Sequence, residues 1–178
     1  MKNSIVKLFF FLSLIFANNI SLNDNQVIFY EVDMTNTKDD LYHVTVIVNG
    51  LSKNNDIYNF ASNVPGTYQI SDFGRFVKSF QAYNKNDKEL GTTRLSTNHW
   101  RIRNSKEVAK IVYTIEDTYD AVIDSNEIYP MSGTGIQKDF IILNTFGVLG
   151  FFDGMQSNPI ELDLKYNKKW KIGTSLRK

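Results

Sequence analysis

In Tyr42-His-Val-Thr-Val-Ile-Val48, the apolar side chains Tyr42, Val44, Val46 and Val48 fall on one side of an extended strand, with His43 and Thr45 on the other. That alternation suits a pleated surface with one face buried, and it recurs. The same reading fits segments 27–32, 57–60, 76–83, 100–103, 109–115, 140–143, 148–152 and 160–164. Between them lie Asn49-Gly50, Asn84-Lys-Asn-Asp87, Asn104-Ser105 and Asp153-Gly154, which carry the chemistry of tight turns. Many short strands joined this way predict an all-β fold with very little helix, either a two-sheet β-sandwich or a saddle-like pair of antiparallel sheets. The best helical candidate is one turn after Ser71, with Ser71 as the cap of residues 72–76. Phe73, Phe76, Val77 and Phe80 have helical spacing, but Phe76, Phe80 and Ala82 also alternate, and a short turn running into a strand is expected.

The chain has 178 residues, enough for one domain with a hydrophobic core. Its 13 Phe and 9 Tyr are far more aromatic surface than a disordered chain carries. Lys2 and Lys7, the apolar-rich run 8–16 and the small residue Ala17 read as a secretory signal over residues 1–17. Residues 18–26 read as a flexible segment, and 27–178 as the β-sandwich domain. An exported protein, periplasmic or extracellular, is expected. The run 8–17 is about half of the roughly 20 apolar residues that span a bilayer, so no stable membrane span remains after cleavage. The mature part is close to electrically neutral, which argues against nucleic acid as a partner. With no cysteine, disulfides, thiol catalysis and cysteine–zinc sites are excluded together.

One stretch is more specific than the rest: Asn63-Val-Pro-Gly-Thr-Tyr-Gln-Ile-Ser-Asp-Phe-Gly-Arg-Phe-Val-Lys-Ser-Phe80. Pro65 pre-sets the first central angle of a turn, and Gly66 accepts the positive angle that a type II turn requires next. Tyr68 follows as an amphipathic aromatic, either buried with its hydroxyl partnered or facing a cleft. Asp72 and Arg75 are spaced for a local ion pair worth roughly a few tenths of a kcal/mol when exposed.

This stretch resembles the N-terminal region of the glycyl aminopeptidases, the sixty-first metallopeptidase family, where a Pro-Gly-Ser/Thr-Tyr turn precedes an Asp-Phe-x-Arg segment. Weaker likenesses follow in order at Phe80-Gln-Ala82, Trp100-Arg-Ile102, Val112-Tyr-Thr114 and Trp170-Lys-Ile-Gly-Thr-Ser-Leu176. The resemblance implies a non-catalytic β domain that leads into a thermolysin-like zinc domain carrying a His-Glu-x-x-His helix. This chain holds only His43 and His99, far apart, so zinc is expected in the catalytic domain and no cofactor in this chain. The resemblance further implies a catalytic peptidase domain, or an equivalent protein surface, as partner. Pro65, Gly66, Tyr68, Asp72 and Arg75 would then form the rim against it, with peptide substrate at the rim. There are departures: Phe60-Ala-Ser-Asn-Val64 stands where the family commonly has a tryptophan, Thr67 replaces serine, and segment 127–138 has no counterpart.

Other candidate groups read as structural. His43 and His99 share no ligand spacing, and Glu116, Asp117, Asp120, Asp124 and Glu127 lack the pattern of a calcium loop and read as a solvated acidic loop. The alternative function is a free-standing glycan- or peptide-binding sandwich that uses exposed Trp100, Tyr119 and Tyr129.

Overall fold

The computed structural model describes residues 26–123 and 125–177. The expected signal segment and nearly all of the 18–26 segment lie outside these residues. The alternating stretches pair as strands. One sheet has six: β1 (Ile28–Asp33), β2 (Leu41–Ile47), β4 (Val77–Asn84), β5 (Glu89–Leu90), β8 (Val108–Glu116) and β12 (Ile160–Lys165), in the spatial order β12-β1-β2-β8-β4-β5. A second sheet orders β11 (Phe151–Phe152), β3 (Ile57–Asn59), β7 (His99–Ile102) and β6 (Thr92–Arg94), and β9 (Gly135–Ile136) pairs with β10 (Ile141–Ile142). All pairings are antiparallel except β1 with β12, which run parallel from Ile28 opposite Ile160 to Asp33 opposite Lys165. The fold is all-β, as the alternation predicts.

The buried face of the large sheet is the set that the period of two selects. Tyr42, Val44 and Val46 on β2 are fully buried, as are Ile111, Tyr113 and Ile115 on β8. The small sheet packs against them through aromatic rings. Tyr58 on β3 meets Phe80 on β4 at 5.5 Å between centroids, while Phe60 stands edge-on to Trp100 and to Tyr113, each at 5.1 Å. Each such ring removed from water contributes about 1.5–3 kcal/mol, and well-oriented pairs add roughly 0.5–1.5 kcal/mol.

Buried tyrosine hydroxyls need partners, and these lie on the connection that crosses one end of the sandwich. Tyr30 donates to Gly150 O at 2.7 Å, Tyr113 donates to Val148 O at 2.8 Å, and Tyr42 donates to Ile142 O at 2.8 Å. Burial pushes the Tyr30 phenol up to about 12, and it raises Tyr42, Tyr58 and Tyr113 as well, so all four remain neutral, the Tyr58 hydroxyl being buried without a hydrogen-bond partner among the described residues. The chain between β9 and β11 is thereby tied to the core at several points.

Some local expectations are corrected. Segment 148–152 is not one strand: a single helical turn, α1 (Thr145–Val148), precedes the two-residue β11. Asn144 starts that turn by accepting from Phe146 N with its side-chain oxygen at 3.2 Å. Ser71 is no helix cap, because its side chain is fully buried and the 3-10 turn Phe73–Phe76 begins after Asp72, whose φ is 49°. The turn does run directly into β4, as the mixed periodicity predicts.

Candidate functional site

The Pro65-Gly66 pair forms the type II turn that its residues call for. Thr67 N donates to Val64 O at 3.1 Å, and Gly66 sits at φ 88°. The Thr67 hydroxyl reinforces the closure by donating to the same carbonyl at 2.8 Å. Tyr68 then takes a left-handed backbone, φ 53°, and its ring stands fully in solvent, which removes the buried alternative. The loop is closed at its base where Ser71 N and Asp72 N both donate to Ser62 O, at 2.7 and 2.9 Å.

Asp72 and Arg75 do not form the ion pair that their spacing suggests. Asp72 Oδ1 accepts from Asn98 Nδ2 at 2.7 Å, which fastens the loop to the start of β7. The Arg75 guanidinium lies 4.9 Å over the Phe76 ring and points the other way, donating to the carbonyls of Ser125 and Asn126. Gln69 continues the same seam: its amide donates to Glu127 O, and its oxygen accepts from Tyr129 N at 3.3 Å. The motif loop is therefore laced to the 125–129 stretch, part of which has no counterpart in the resemblance. The two segments leave Tyr68, Ile70 and Tyr129 exposed, and Val122 and Met131, which flank the second in sequence, are exposed too. Pro65 also borders a groove of about 660 Å³, with Phe146, Phe151 and Met155 among its walls.

The acidic loop is not uniformly solvated. Asp117 is fully buried; its carboxylate accepts from Ile136 N at 2.5 Å and Tyr119 N at 3.0 Å. Oxygens of Asp40, Asp117 and Asp120 lie within 4.8 Å of one another. Burial, then the nearby Asp117 and Asp120, pushes the Asp40 carboxyl up to about 6, and burial raises Asp117 too.

The two imidazoles stay apart. His43 on β2 contacts Asp39 at 2.9 Å, while His99 on β7, in the other sheet, contacts the Ser96 hydroxyl at 2.8 Å. These residues do not fit a catalytic zinc site, which needs three convergent donors and an open position. The rings named for glycan stacking are not assembled either, because Trp100 is buried between Phe60 and Phe80. Tyr119 and Tyr129 are exposed.

The described residues thus form an all-β domain whose motif loop is laced to the 125–129 stretch. Its fold is similar to part of an aminopeptidase N family protein from Idiomarina loihiensis, with a TM-score of 0.67 at 18% sequence identity, over 80% of this chain and 22% of that one. The chain belongs to the peptidase M61 N-terminal domain family, whose model matches residues 29–178. It thus spans about 22% of the length of the solved relative. A comparison with curated proteins returned no match.

Sequence reasoning placed the turn and its neighbours but missed Gln69, Ile70, Val122 and Met131, and it treated Tyr129 only as a ring for binding glycan or peptide. Asp117 did have a signal: it continues the inward series Ile111, Tyr113, Ile115 at intervals of two along β8 and its exit.

Proposed function

We propose that this chain is the non-catalytic N-terminal β domain of an exported zinc aminopeptidase of the M61 type. The laced loops 64–75 and 125–129, with flanking Val122 and Met131, press on a catalytic domain and wall one side of its cleft, where peptide substrate passes. The observation that carries this reading is the position of the family-specific motif. It forms a turn whose following residues expose Tyr68 and Ile70 beside a second loop that exposes Val122, Tyr129 and Met131. Apolar side chains displayed together and rimmed by polar groups are characteristic of surfaces that another protein covers. Zinc and the water it activates would come from the partner domain, since His43 and His99 lie on separate sheets. Export rests on Lys2, Lys7 and the apolar-rich run that follows. Purified chain with added zinc should not hydrolyse glycyl or alanyl amide substrates; metal-dependent turnover above a buffer blank refutes the non-catalytic assignment.

A further inference from the structure

We infer that Tyr68 is the anchor residue of this surface: a single aromatic held out in advance in a strained conformation, ready to enter an apolar pocket of a zinc-peptidase domain. The inference rests on the reading above and adds where the affinity resides.

Tyr68 combines two properties that oppose stability. Its φ of 53° lies in the left-handed region, which a bulky side chain rarely adopts. Its ring is fully exposed, and its hydroxyl has no hydrogen-bond partner among the described residues, so no contact of the ring offsets the strain. The conformation is imposed by neighbours on both sides. Thr67 is held by the Val64 carbonyl through its amide and its hydroxyl. Gln69 is gripped by Glu127 and Tyr129, and Ser62 O closes the loop behind. Backbone strain fixed by the surrounding structure is found at ligand clamps and binding sites. A rigid aromatic with two side-chain torsions is the residue type that dominates interface energetics.

The occupant follows from what surrounds the ring. Arg75 is committed to Ser125 and Asn126, and Asp72 to Asn98, so the nearby charges are already partnered. Ile70, two residues along the same loop, is exposed as well. The partner surface should therefore be an apolar concavity whose binding depends little on salt. In the solved relative the matched region is 22% of the chain, so a domain of this kind has a much larger body of polypeptide beside it there.

The test uses Tyr68→Gly, because glycine adopts the left-handed angle freely. In this chain the variant should melt no lower than the parent, because the strain released at the left-handed angle offsets the freedom that glycine adds to the unfolded chain. Against a separately purified zinc domain of a peptidase M61 protein, checked for bound zinc, the same variant should bind about 30-fold more weakly, the loss expected of an anchor residue. Tyr68→Phe should retain most of the affinity. A variant that melts clearly lower, or one that binds within about twofold of the parent, overturns the inference while leaving the domain assignment intact. A parent chain that does not bind the zinc domain overturns the assignment itself. Tyr68-dependent self-association in sedimentation without zinc-domain binding would give the surface to a second copy.

Discussion

Gly150 is the position where the packing of this sandwich is least able to yield. A methyl group added there would lie 2.3 Å from Tyr58 Cε1 and 2.6 Å from Asn59 O, one a fully buried ring and the other backbone of β3. Neither can move without disturbing the aromatic cluster or the β3–β7 ladder, and overpacking of this kind costs about 1–3 kcal/mol. Gly150 is also bonded through both of its backbone groups: its carbonyl accepts from Tyr30 at 2.7 Å and its amide donates to the Tyr113 oxygen at 3.3 Å. Displacing the residue strains both bonds, and a buried polar group left unpaired costs about 1–3 kcal/mol. Against this, alanine narrows the unfolded ensemble by about 0.4–1 kcal/mol. Gly150→Ala should therefore destabilise the domain by about 2–5 kcal/mol, a substantial share of the 5–15 kcal/mol that single domains possess. Urea unfolding followed by Trp100 emission reads this directly, since Trp100 packs on Phe60 and Phe80 in the same cluster. Gly173→Ala, whose added methyl meets nothing within 4 Å, is the control and should leave the midpoint unchanged or raise it slightly. A loss below about 1 kcal/mol for Gly150→Ala would refute the claim that this contact is rigid, showing that the Tyr58 ring gives way at little energetic expense.

Gly66→Val should cost about 1–3 kcal/mol for a reason unrelated to space, because nothing lies within 4 Å of its built methyl but its φ of 88° is strained for a branched residue. An unchanged melting temperature would count against that turn geometry. The acid cluster makes a pH prediction whose sign is opposite to that of a salt-bridged carboxylate. Asp40 titrates near 6 when folded and near its ordinary 3.8 when unfolded, so the folded state holds the extra proton in between. Its contribution to stability is fully present below about pH 4 and is lost as pH rises through about 6. Asp117, Asp120 and Glu116 are the charged groups that face it. Asp40→Asn should stabilise the domain at pH 7 and make no difference in acid; equal stabilities across that range would rule the coupling out.

How much of this was legible depends on which physical rule decides each part. The long strands were, because burying one face of β2 or β8 imposes a period of two that survives in the sequence as Tyr42-Val44-Val46 or Ile111-Tyr113-Ile115. Two-residue strands such as β5 and β9 are too short for any period to show. Segment 148–152 reads as one strand because its apolar residues are nearly continuous, yet Val148 closes α1 and only Phe151–Phe152 is strand, while the cap at Asn144 gives the turn its start. The turn at Pro65-Gly66 was legible because a type II turn dictates its residues. The rest of the surface was not: Arg75 and Gln69 bind the carbonyls of Ser125, Asn126 and Glu127, and every residue type offers a carbonyl. A seam of that kind leaves no mark on the partner's side chains. Asp117 misled for a related reason, since a carboxylate among other acids looks solvated unless the strand period is carried one step further.

The parallel pairing of β1 with β12 sets a condition on how this domain is made. Strand β1 finds a neighbour on one side within a few residues, in β2, but waits for almost the whole domain before the other side is occupied. Until then Ile28, Tyr30 and Val32 sit beside an open border able to accept any extended segment that arrives. Completion of the large sheet is a late event governed by loop closure between distant parts of the chain, and a ribosome that stalls before Ile160 releases a molecule with that border uncovered.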